Sequence, residues 1–265
     1  MILRVGARAV YAYTGTRLQR SDAPTVLFLH GAAQDHSVWG LQSRYFAHHG
    51  WNVLAVDLPG HGRSEGMALS SVEGIASWLV DAMDAAGAQH AALVGHSMGA
   101  LATLECAARH PERVTLIALL GPAVPMQVSD ELLEAARTEE HAAYEMINGW
   151  SFGVRGTSGG NAWPGVWMAG NALRLLERCG PGVLATDLDA CRQYTGGLAA
   201  AAAVRCPALV ILGGRDLMAP ARSAGALLET LPRREVVRLE HSGHSLMAEE
   251  PDAVLDALRQ FLAVQ

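Results

Sequence analysis

The chain has 265 residues, enough for one large α/β domain or for a core domain carrying one insertion. Half of the residues are hydrophobic and 17% are charged, which excludes a disordered chain and supplies material for a packed core. The net charge is −6, and the arginines are scattered with no run of Lys or Arg. The electrostatic footprint of a nucleic-acid binder is therefore missing, and no nucleic-acid partner is expected.

From the N-terminus, Met1 to Val10 carries Arg4 and Arg8 and no long apolar stretch, so no signal peptide is expected. Short apolar runs then recur, each ending near a glycine: Val26 to Leu29, Val53 to Val56, Ala91 to Val94, Val114 to Leu120, Ala208 to Leu212 and Val236 to Leu239. They do not alternate apolar with polar residues. Continuous runs of this kind suit central parallel strands, whose two faces are both covered by helices. Between them lie helical patterns. Met98, Leu101, Leu104 and Ala108 fall at helical spacing before Pro111, and Val254, Leu258, Phe261 and Leu262 form a second amphipathic face opened by Pro251 and Asp252. Alternating strand and helix predicts an α/β class with a mostly parallel sheet.

One stretch breaks the rhythm. Ala123 to Arg205 carries helical and loop patterns but no central strand, and reads as a helical insertion over one end of the sheet. The core is then 1–122 with 206–265. The alanines from Ala199 to Ala203 read as a helix end. Nowhere does an apolar stretch approach the roughly 18 residues of a membrane span, so no membrane partner is expected. The four cysteines, Cys106, Cys179, Cys191 and Cys206, form no CxxC pair and have no zinc-ligand spacing. They read as reduced, partly buried residues of a cytoplasmic protein.

The sharpest motif is Gly95-His96-Ser97-Met98-Gly99, directly after an apolar strand and directly before a helix. A strand that turns this sharply into a helix puts the serine at the apex in a strained conformation. Glycines two residues to either side keep side chains from colliding around it. The helix start then aims unpaired N–H groups at the site, and the Met98 N–H suits an oxyanion. His30-Gly31-Ala32-Ala33 follows the strand ending at Leu29, and the Ala32 N–H is the expected second oxyanion donor.

With these residues in view, the chain resembles the α/β-hydrolase superfamily over nearly its whole length. The resemblance rests on His30-Gly31, Asp57-Leu58-Pro59-Gly60-His61-Gly62-Arg63-Ser64, Gly95-His96-Ser97-Met98-Gly99, Gly213-Gly214-Arg215-Asp216 and Ser242-Gly243-His244. It implies the α/β-hydrolase fold, a mostly parallel sheet flanked by helices with a helical lid at 123–205. It also implies a catalytic triad in the order nucleophile, acid, histidine. The acid falls on Asp216, behind the strand ending at Leu212. Asp187 and Asp189 are rivals without a strand before them, and changes at either are expected to do little. Asp57 reads as a structural turn residue. The base falls on His244, with His241 as competitor, while His30, His61 and His96 read as loop or packing residues.

The expected chemistry is that of a serine hydrolase. His244 takes the Ser97 proton, Asp216 orients the imidazole, and water cleaves the acyl-enzyme with neither metal nor cofactor. The expected substrate is a small to medium, neutral, partly apolar ester or lactone. Met126, Met146, Trp150, Trp163, Trp167 and Met168 in the insertion are candidate pocket residues, with Trp163 and Trp167 at the spacing of one helix face. The runner-up is a C–C bond hydrolase acting on a vinylogous diketone, although such enzymes carry a glycine-rich loop where this chain has Ala32-Ala33-Gln34-Asp35. A hydrolase-fold ligand receptor is a third reading, disfavoured by the intact triad. Oligomeric state is not encoded in any of these patterns.

Overall fold

A computed structural model describes residues 1–157 and 165–263. Its centre is an eight-stranded sheet in the order β1-β2-β4-β3-β5-β6-β7-β8. The strands are β1 (Ile2–Val5), β2 (Arg8–Tyr13), β3 (Thr25–Leu29), β4 (Asn52–Val56), β5 (Ala91–His96), β6 (Val114–Leu120), β7 (Ala208–Gly213) and β8 (Arg234–Leu239). The six expected strands are all present and mutually parallel. The sequence reading missed the antiparallel pair β1 and β2, which joins the sheet through β4.

The apolar runs are continuous because alternate residues serve opposite faces. Leu27, Leu29, Leu54, Val56, Leu93, Ile117 and Val210 point into one buried layer, and Val26, Phe28, Val53, Ala55, Ala92, Val94 and Ala118 into the other. The first layer is covered by α2 (Val72–Ala85) and α3 (Met98–Arg109), and the second by α1 (Gly40–His48) and the C-terminal helix. Burying both faces removes several thousand Å² of apolar surface from water and is the main favourable term in folding.

Between β6 and β7 the chain leaves the sheet. It forms α4 (Asp130–Thr138), α5 (Glu140–Ser151), α6 (Val154–Thr157), α7 (Met168–Leu176), α8 (Val183–Gln193) and α9 (Gly197–Ala203). Leu132, Leu133, Ala143, Ile147, Leu184 and Leu188 make a separate cluster from α4, α5 and α8. By contrast Cys191, Tyr194, Ala200 and Ala201 pack into the layer that holds α3. The remaining helices are α10 (Gly225–Thr230), α11 (Leu246–Glu249) and α12 (Pro251–Leu262). Cys106 and Cys191 are buried, Cys179 and Cys206 half-buried, and all four are free thiols. Among the described residues no helix is long and apolar enough to cross a membrane.

The strand order reverses at β3. The chain runs from β3 outward to β4, then returns to build β5 on the other side of β3. The carboxyl ends of β3 and β5 are paired, Leu29 opposite Gly95. A crevice at such a switch point is where open α/β sheets bind ligands.

Candidate active site

Ser97 stands between β5 and α3 with φ 55° and ψ −117°, outside the regions open to most L-residues. The glycines around it explain how the turn closes. A Cβ on Gly95 would lie 2.2 Å from the Gly99 carbonyl oxygen, and one on Gly99 would lie 2.5 Å from the His30 carbonyl oxygen. A Cβ on Gly31 would lie 3.3 Å from Ser97 Cβ, so the loop after β3 runs directly beside the serine. The amides of Ala32 and Met98 make no hydrogen bond among the described residues.

The chain brings Asp216 and His244 together from the ends of β7 and β8. His244 Nδ1 donates to Asp216 Oδ2 at 2.7 Å, and both side chains are buried. The second oxygen of Asp216 accepts from the amides of Met218 at 2.9 Å and Ala219 at 2.7 Å. Burial pushes the Asp216 carboxyl up. The positive face of His244 and the bonds it receives outweigh burial and hold it below the usual range. His244 Nε2 is buried and has no hydrogen-bond partner. The glycines of this region are again steric. A Cβ on Gly213 would lie 2.3 Å from the Gly243 carbonyl oxygen, and one on Gly243 would lie 2.7 Å from the Ser151 carbonyl oxygen of α5. His241, the competing histidine, is exposed.

Two further histidines support the loops, each with a defined protonation state. His30 donates from Nδ1 to the Gly31 carbonyl at 2.8 Å and accepts from the Leu58 amide at 3.1 Å, so it carries one proton. Burial pushes it down to about 4. His96 donates from Nε2 to the His244 carbonyl at 2.9 Å, and burial with the nearby His244 pushes it down to about 3. Asp57 accepts from the amides of His36 and Arg63 at 2.7 and 2.9 Å, the structural role expected of it. Asp35, His36 and Asp57 bring one possible ligand atom each to within 4.8 Å, but those atoms are engaged with one another and with backbone amides.

Ser97 and His244 line one cavity of about 360 Å³, with Ala32, Met126, Trp150 and Leu188 among its walls. A wider cavity of about 930 Å³ adjoins it and shares Gln34, Ile147 and Ser151. The pocket candidates divide. Met126 and Trp150 line the inner cavity, and Met168 lines the wider one. Met146 packs against the cluster of α4, α5 and α8 and lines neither cavity. Trp167 is 69% exposed and precedes α7 in a non-helical conformation, which corrects the expectation of a shared helix face with Trp163. Trp163 itself lies outside the described residues. Sequence reasoning missed Gln34, which stands where the cavities meet, and Glu249. The latter accepts from the Gly153 amide at 2.8 Å and the Gly243 amide at 2.7 Å, fastening the segment after α5 to the His244 loop.

The chain matches the Alpha/beta hydrolase family over residues 26–257 and belongs to that family. It is 27% identical over 259 residues to a Klebsiella pneumoniae protein named "Putative carbamate hydrolase RutD", covering 91% of this chain and 92% of the relative. Its fold is similar to that of the enol-lactonase from Burkholderia xenovorans LB400, with TM-score 0.89 and 23% identity over 99% of this chain and 100% of that one. An esterase from Exiguobacterium antarcticum is similar at TM-score 0.85 and 17% identity, over 99% of this chain and 98% of that one. The chain is an α/β-fold hydrolase.

Two outcomes follow from the geometry of Asp216 and His244. A carboxyl held low in the fold stabilises it fully above the ordinary aspartate pKa of about 3.9, and that contribution is lost as pH falls through and below it. Melting curves from pH 7 to pH 3 should show the wild type losing more stability at the acid end than Asp216→Asn, which has no proton to take up there. Gly121 has φ 58°, and a Cβ on it would lie 3.1 Å from His244 Cε1 and 3.2 Å from Nδ1. Gly121→Ala should lower hydrolytic turnover on the order of 10²-fold by displacing that ring, as measured on any substrate the wild type accepts.

Proposed function

We propose that this hydrolase cleaves a small to medium, neutral, partly apolar ester or lactone through an acyl-enzyme on Ser97, with His244 as base and Asp216 as its orienting acid. The observation that carries the reading is the buried, unpartnered Nε2 of His244 in the cavity that Ser97 lines, while Nδ1 is held by Asp216 at 2.7 Å. With one nitrogen occupied by a carboxylate, the imidazole keeps its lone pair on the other and takes a proton there. Ser97 then attacks the acyl carbon, and the charge forming on oxygen meets the two free amides of Ala32 and Met98. The imidazolium returns its proton to the leaving oxygen. Water, activated by the same ring, releases the acid.

The substrate class follows from the walls. Met126, Leu132, Ile147, Trp150 and Leu188 offer apolar surface, while Gln34, Gln127 and Ser129 offer uncharged polar groups. No Asp, Glu, Lys or Arg lines the inner cavity among the described residues. A volume of about 360 Å³ lies at the small end of ligand sites and suits a short acyl or lactone ring. Relatives named for carbamate and enol-lactone hydrolysis fit attack at an acyl carbon. We infer further that the insertion 123–205 acts as a cap, since α4, α5 and α8 supply much of this wall, and that α9 returns to the core.

A fluorophosphonate probe is expected to label one site, Ser97, with labelling abolished in Ser97→Ala by intact mass and peptide mapping. Labelling that persists in the variant rejects the assignment. Trp150→Ala, which enlarges the inner wall, should shift preference toward longer 4-nitrophenyl acyl esters by about tenfold in relative kcat/KM, a size typical of one pocket contact. An unchanged chain-length profile removes Trp150 from the acyl pocket.

A further inference from the structure

The loop after β3 contains four successive amides, and three of them are held inside the protein. Gly31 N–H donates to Gln34 Oε1 at 3.1 Å, and Gln34 N–H to the Gly31 carbonyl at 3.3 Å. Ala33 N–H donates to Asp187 Oδ2 at 2.9 Å. Only the Ala32 amide is left without a partner among the described residues. Ala33 itself has φ 54°, a left-handed conformation that is unfavourable for a residue with a side chain and must be imposed from outside.

The outside partner is a carboxylate on α8, and it is 1% exposed. Its Oδ2 also accepts from His61 Nε2 at 2.8 Å, while His61 Nδ1 faces the Pro59 carbonyl at 3.1 Å. Both ring nitrogens meet acceptors, so both carry protons and His61 is a cation. Burial opposes that charge, but Asp187 and its hydrogen bond carry His61 above the usual histidine range, with Asp57 adding to the effect and the neutral His30 ring tilted against it at 4.9 Å. The pair is closed from water on all sides, where a charge left without its partner is costly.

We propose that Asp187 is a positioning residue of the oxyanion site: through Ala33 N–H and His61 it fixes the loop so that the Ala32 amide faces the acyl oxygen, which ties the site's competence to the docking of α8. The inference rests on the serine-hydrolase reading above. It departs from the expectation from sequence that changes at Asp187 and at Asp189 do equally little. Asp189 is a half-buried surface partner of Arg137 at 2.7 Å and touches nothing in the site.

The test compares wild type, Asp187→Asn, His61→Gln and Asp189→Asn on a 4-nitrophenyl ester, with fluorophosphonate labelling of Ser97 in parallel. Loss of one oxyanion donor lowers kcat roughly 10² to 10³-fold. Asp187→Asn and His61→Gln, which misalign rather than delete one, should lower kcat at least tenfold, move KM less than threefold and slow labelling in proportion. Asp189→Asn should match the wild type. Proton NMR should show the His61 ring keeping its charge to higher pH in the wild type than in Asp187→Asn. Normal kcat in a folded Asp187→Asn protein, or a change confined to KM, overturns the proposal while leaving Ser97 as nucleophile. A wild type that neither is labelled at Ser97 nor turns over the ester removes the underlying reading as well. If either variant fails to fold, the other supplies the kcat comparison, and failure of both to fold counts against a positioning role.

Discussion

The backbone at Ser97 sets the terms for everything near it. A φ of 55° on a residue with a side chain costs on the order of 1–3 kcal/mol, and it persists only because the surroundings leave no alternative. Those surroundings are close backbone contacts: Gly95 against Gly99, Gly99 against the end of β3, and the Ser97 amide bonded to the Leu120 carbonyl at 2.9 Å. Each is available only where β3, β5 and β6 lie side by side and parallel. The sheet order is therefore the device that lifts one serine clear of the surface with a helix start behind it.

Around that point the protein uses burial to give four histidines different tasks. His30 and His96 are buried, and burial pushes both well below the usual histidine range, so they stay neutral and act as fixed loop braces. His61 meets two acceptors and is charged. His244 meets one carboxylate and has a free nitrogen. The residue type is constant, and the partners decide the chemistry.

What was legible in the sequence was local. The six parallel strands were legible because both faces of each are buried, and Gly-x-Ser-x-Gly was legible because its steric demand falls within five residues. The hairpin β1–β2 escaped because its strands are short and half exposed. The period-two pattern of Leu3, Val10 and Ala12 inward with Arg4 and Arg8 outward was its one signal. The start of β8 escaped for a related reason: Arg234 and Glu235 lie on an exposed edge, where charge is common. Asp187 was legible only as a rival acid and Glu249 not at all, because their partners lie 154 and 96 residues away in the chain, and a charged helical residue reads by default as solvated.

Those two carboxylates change how the insertion is understood. Asp187 grips the loop after β3, and Glu249 holds Gly153 together with Gly243. The Ser151 carbonyl accepts from both the His244 and Ser245 amides, at 2.8 and 2.9 Å. The helices between β6 and β7 are thus fastened to the loop after β3 on one side and to the His244 loop on the other. A cap that merely covered the cavity could be cut away with little effect on the groups beneath it. One that supplies the acceptors for those loops cannot, because removing it leaves buried amides unpaired and releases a strained backbone.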